Sequence, residues 1–237
     1  MTLTPTTRRS PMTTLARMED ASRHLGLMLA LTFVTGLVDA GGYLGLDRVF
    51  VGNMTGNVVI LGMGAAGADG LPVLGPALAL GTFIFGAGLA GLSMRSSPTG
   101  WSPRLTAVAV TSVLLVAATA VMLAITSTDS TVVIVAAAMT ACAMGMQAAA
   151  ARKVGVADVT TVVVTSTITV WATDMFARPQ RTTIVNRRLA AIVAILVGAL
   201  VGALLEQVAL WLVFAVAAGI GAAVVWIGHA SSRTKTG

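Results

Sequence analysis

The chain has 237 residues, 56% hydrophobic and 10% charged, with a mean hydropathy of +0.90; water-soluble domains carry about 25% charged and about 45–50% apolar residues, so composition excludes that class. Fifteen Lys and Arg against nine Asp and Glu give a net charge of +6, but they sit in tails and short connections, without interleaved aromatics to stack bases, which excludes nucleic acid as a partner. A single cysteine, Cys142, and two histidines, His24 and His229, make neither a disulfide framework nor a tetrahedral zinc site.

Along the chain the elements follow from hydrocarbon thickness, since a bilayer core of about 30 Å requires about 20 apolar residues per helix. Residues 1–24, with Arg8, Arg9, Arg17 and Arg23, read as a basic cytoplasmic tail. Val38-Asp39-Ala40 is a poor cleavage site, so the first apolar run reads as a retained helix rather than a signal peptide. Eight apolar runs follow, at 25–46, 50–67, 72–94, 105–126, 132–151, 159–177, 189–206 and 208–229. Asn53, Thr55 and Asn57 interrupt the second, and threonines between Thr160 and Thr169 interrupt the sixth, which marks both as candidates for broken or re-entrant helices. Residues 230–237 form a second cytoplasmic tail.

The fold class expected is an all-α polytopic membrane bundle of about eight spans in a bacterial cytoplasmic membrane. With eight crossings and the amino terminus inside, ten basic residues fall inside and five outside, the five being Arg48, Arg95, Arg104, Arg152 and Lys153. That bias obeys the positive-inside rule and puts both termini in the cytoplasm.

Two stretches share a pattern. Gly36-Leu-Val-Asp39-Ala precedes Val51-Gly-Asn53-Met-Thr55-Gly56-Asn57, and Gly145-Met-Gln147-Ala-Ala precedes Val163-Val164-Thr165-Ser166-Thr167. Gly86, Gly88 and Gly91 match Gly198 and Gly202 at nearly the same offset. The pattern divides the chain into two four-helix repeats, 25–126 and 131–229. Four crossings return the chain to its starting side, so the halves are expected to be parallel, whereas a re-entrant second helix gives three-span units and inverted repeats.

Asp39 is the most informative residue, because a carboxylate at a helix centre costs about 2.5–3.5 kcal/mol on insertion scales and needs compensation. Pairing Gly36 with Gly145 sets Asp39 against Ala148 and Tyr43 against Arg152, which makes Arg152 the expected ion-pair partner of Asp39. Asn53 and Asn57 stand four apart on one helix face, with the Thr55 hydroxyl beside them and Gly56 removing bulk. Uncharged donors and acceptors suit a neutral or zwitterionic solute, or an ion held by oxygens, and equally suit hydrogen bonding between helices.

Three further patterns carry no chemistry. Asn53-Met54-Thr55 matches a glycosylation acceptor inside an apolar run. The Gly62-Met63-Gly64-Ala65-Ala66-Gly67 string matches a dinucleotide fingerprint without a βαβ unit. Gly41/Gly45, Gly52/Gly56 and Gly198/Gly202 have the spacing of close helix packing. Asp174 and Glu206 read as interfacial carboxylates, and no Ser or Cys joins a His and a carboxylate at membrane depth, so no enzyme and no cofactor are expected.

The strings Gly36-Leu-Val-Asp39-Ala40, Val49-Phe50-Val51-Gly52-Asn53-Met54-Thr55-Gly56-Asn57 and Asp158-Val159-Thr160-Thr161 resemble the YoaK family of bacterial integral membrane proteins, over about residues 25 to 229. The family's second half has Asn where Ala148 stands here and Gly where Ser166 stands. The resemblance implies a multi-pass inner-membrane protein. The function expected is a small-solute or ion permease, with a cleft between two repeats lined by Asp39, Tyr43, Asn53, Thr55, Asn57, Gln147, Arg152, Thr161, Thr165 and Thr167. The alternative is a non-transporting scaffold or accessory subunit. Lipid is the expected partner, with a solute or ion and a homo-oligomer as further options.

Overall fold

A computed structural model describes residues 11–155, 164–177 and 182–233. These form α1 (Pro11–Gly45), α2 (Met54–Ala65), α3 (Leu74–Met94), α4 (Pro103–Ile125), α5 (Ser130–Val154), α6 (Val164–Ala177), α7 (Thr182–Glu206) and α8 (Leu210–Arg233). Among the described residues there is no strand, as lipid requires of an open chain, since only a helix satisfies its backbone within one segment. Among the described residues six helices are long and apolar enough to cross a membrane. The others, α2 with 12 residues and α6 with 14, extend only about 18 and 21 Å and are the two whose polar residues singled them out in the sequence.

The chain reverses after α1. Asp47 and Arg48 both take left-handed φ, 56° and 58°, and the following residues run back along α1 until α2 begins. The Val49 carbonyl lies on Gly42, and Gly52 lies against Thr35 and Asp39. From Gly45 back to Thr35 is about 15 Å of helix rise, so α2 starts near half depth. It then returns to the end it left. Arg48 Nη1 donates to the Gly70 carbonyl at 2.9 Å, and Gly75, in the first turn of α3, abuts Val49.

This return sets the orientation of everything downstream. Helix α5 lies antiparallel to α1: Leu27 and Met28, early in the α1 span, share a core with Ala150, Ala151 and Val154 at the end of α5. A chain with four crossings before α5 would make the two parallel. The parallel arrangement expected of the halves is therefore corrected, because α2 does not carry the chain across.

Helix packing interlocks the halves. Helix α1 packs on α7 and α8, α5 packs on α3 and α4, and α4 packs on α8. Both long seams use one device. A Cβ at Gly36 would overlap the Ile195 carbonyl and one at Gly198 the Phe33 carbonyl; a Cβ at Gly145 would overlap the Phe83 carbonyl and one at Gly86 the Cys142 carbonyl. Small residues let the backbones touch, which is how helices associate where lipid removes the hydrophobic drive. Phe214, Leu37, Val38 and Met144 fill the centre.

Charge is segregated along the bundle. The end holding the start of α1 also holds Arg95 and Arg104 flanking the α3–α4 loop, Arg152 and Lys153 closing α5, Arg187 and Arg188 in α7, and Arg233 closing α8. At the opposite end Arg48 is the one described cation, beside Asp47, Asp69, Asp129 and Glu206. Arg95, Arg104, Arg152 and Lys153 thus share an end with the start of α1, contrary to the eight-crossing assignment.

Candidate functional site

The site is built on the half-depth reversal. Extended backbone in hydrocarbon exposes N–H groups that must find acceptors, each costing about 1–3 kcal/mol if buried and unpaired. Asp39 supplies one acceptor for three. Its Oδ1 accepts from the backbone N–H of Val51 at 3.0 Å, Gly52 at 2.7 Å and Asn53 at 3.2 Å. Asp39 is 8% exposed, and its negative charge faces the amino end of α2, where the helix dipole is positive. Compensation thus comes from backbone amides. Arg152 lies at the other end of the bundle, so the expected Asp39–Arg152 pair is not formed; the ion pair seen among the described side chains joins Arg188 to Asp174, holding α6 to α7.

The two asparagines complete the reversal. Asn57, fully buried, clamps Phe50 at both backbone groups: Phe50 N–H donates to Asn57 Oδ1 at 2.9 Å, and Asn57 Nδ2 donates to the Phe50 carbonyl at 2.5 Å. Asn53 caps α2 by accepting from the Gly56 N–H at 3.3 Å. Gly56 leaves room for the Phe50 ring, which stacks on Tyr43 with centroids 4.9 Å apart.

One turn along α1, Gln147 joins the same network. Its Nε2 donates to Thr35 Oγ1 and to the Leu31 carbonyl, both at 3.4 Å, and Thr35 touches Gly52. Gln147 also lines an apolar internal cavity between α1, α4, α5 and α8, with Ser112 and Trp101 on its wall. A second recess, a groove between α1 and α7, is lined by Asp39, Tyr43, Phe50, Gly36, Ile195 and Ala199. Asp39 Oδ2 takes no hydrogen bond from the described residues.

The structure therefore brings Asp39, Tyr43, Asn53, Asn57 and Gln147 into one neighbourhood. Thr55 points outward from the first turn of α2. Thr165 and Thr167 lie on α6, which packs on α7 and makes no contact with α2; Thr161 lies outside the described residues. Sequence reasoning missed Thr35 and Phe50. Thr35 stands four residues before Asp39, on the same helix face, which is the signal that finds it; Phe50 contributes backbone groups, which no side-chain pattern marks.

Three comparisons with known proteins bear on this site. Residues 27–227 match a family model described as "Protein of unknown function (DUF1275)". The chain is 30% identical over 198 residues to "UPF0700 transmembrane protein YoaK" of Bacillus subtilis (strain 168), covering 80% of this chain and 87% of that protein. No solved structure matches.

Proposed function

Because the chain belongs to the DUF1275 family of proteins of unknown function, its activity has to be argued from its own geometry, and we propose a small-solute or ion permease of the bacterial cytoplasmic membrane. The observation that carries the reading is a buried carboxylate within the α1 span, beside the point where the chain breaks into a short returning helix, on a residue that lines the α1–α7 groove. Ionisable residues within spans mark solute or ion pathways, and irregular backbone at membrane depth is tolerated where it is buried in protein or lines a cavity.

Supporting it, the close approach of Gly36 to α7 and Gly198 to α1, and of Gly145 to α3 and Gly86 to α5, fits two four-helix units, each of three spans and a short returning helix, in opposite orientations. Inverted units that interlock are a common framework for alternating access. In this reading Asp39 is the binding anion, Tyr43 and Asn53 flank it, and Gln147 links the groove side to the internal cavity. The threonines of α6, Thr165 and Thr167, form the counterpart of the second unit, and Arg152 belongs to the cytoplasmic face. The basic end faces the cytoplasm, which places both termini there. No covalent chemistry is part of the proposal.

A scaffold is the second reading, favoured by Asn53 and Asn57 directing their hydrogen bonds to the hairpin itself. Proteoliposomes separate the two. Light scattering with neutral and zwitterionic solutes, and dyes for H⁺, Na⁺ and K⁺, should find one permeant that enters faster than into empty vesicles. Asp39→Asn should slow it by about tenfold, the effect of losing one charge-assisted contact. Absence of flux across the panel, with a stoichiometric partner co-purifying, would establish the scaffold instead.

A further inference from the structure

The end of the α3–α5 seam carries chemistry that the permeation reading does not use. Helices α3 and α5 run parallel and terminate together, at Met94 and Val154, at the basic end of the bundle. The trough between them has a small-residue floor, Ala87, Gly91 and Ala148, with open space over Gly91 and the ring of Phe83 at its deep end. At its mouth stand Arg95, Arg152 and Lys153. None of the three pairs with a carboxylate among the described residues. The Gly100 N–H donates to the Lys153 carbonyl at 3.1 Å, tying the α3–α4 loop to the end of α5 and so keeping Arg95 beside the other two.

Three converging cations over an apolar trough match a phosphodiester above an acyl chain. We infer that this trough binds an anionic phospholipid, its phosphate held by Arg95, Arg152 and Lys153 and one chain lying on Ala87, Gly91 and Ala148. Basic pockets between spans on the cytoplasmic side are sites for such headgroups. The α1–α7 seam is an internal comparison. It offers a groove of the same construction, but Tyr43 stands where Arg152 stands here and a carboxylate, Asp39, lies on its wall. An anion is repelled there and attracted here.

The test is a lipid titration of the full chain in neutral detergent, read by thermal unfolding of tryptophan fluorescence. Phosphatidylglycerol should raise the unfolding midpoint of the wild type. Each charge removed, by Arg152→Gln and then Lys153→Gln and Arg95→Gln, should raise the lipid concentration needed by about fivefold. Arg48→Gln, at the opposite end, should leave the titration unchanged. An equal response to phosphatidylcholine, an equal response to inorganic phosphate, or an unchanged titration in the triple variant would each overturn the site. Should the triple variant fail to fold, Arg152→Gln alone, an exposed residue in the last turn of α5, decides the matter by the same shift.

Discussion

A single carboxylate oxygen organises the reversal between α1 and α2, and its removal has a graded consequence. Asp39→Leu leaves three N–H groups without an acceptor, two of them buried, and should cost about 3 kcal/mol or more, read as a fall in the unfolding midpoint in detergent. Asp39→Asn keeps a carbonyl oxygen for the same amides and should lose less than half as much. Asn57→Ala removes both bonds to Phe50 and should cost about 2 kcal/mol by the same measure. The need for something to compensate Asp39 was legible in the sequence, since a lone acid in an apolar run has to be neutralised. Its partner was not, because backbone amides are present at every position and carry no sequence signature. Arg152 looked plausible only while α2 was counted as a crossing.

At the level of the helix, the seams α1–α7 and α3–α5 depend on the absence of a methyl group at Gly36, Gly198, Gly202, Gly145 and Gly86. Gly36→Ala, Gly198→Ala, Gly145→Ala and Gly86→Ala each set a Cβ into a neighbouring carbonyl, and each should destabilise by about 1–3 kcal/mol, as overpacking does. Gly88→Ala and Gly219→Ala, where a Cβ meets open space, should be neutral or slightly stabilising, because alanine is the better helix former. Thermal unfolding of the six variants side by side is the measurement. That the glycines serve close helix packing was readable in their spacing. Which helices they join was not, because spacing names no partner; Gly36 meets Ile195 and Ala199 of α7, and Gly145 meets Phe83 and Ala87 of α3. Helix α2 was ambiguous for a different reason. The run 50–67 is long enough by composition, yet its first residues are irregular backbone, and only Met54–Ala65 is helical.

For the whole molecule, the returning hairpin decides which loops share a side. In a Cys142→Ser background, Asp69→Cys and Asp129→Cys should react with an impermeant maleimide added to intact cells, while Ser97→Cys should be protected until the membrane is opened. An eight-crossing chain would reverse this pattern at every one of the three positions. Six crossings also put every described Lys and Arg except Arg48 at one end of the bundle, a sharper asymmetry of positive charge than the sequence count suggested. The interlock of the halves has a consequence for biosynthesis. The first helix to leave the ribosome finds its long partner only when α7, some 150 residues later, has been inserted. Until then the Gly36 face waits against lipid or an insertion chaperone, so a chain truncated before α7 is expected to be cleared by membrane proteases rather than to accumulate as a stable half.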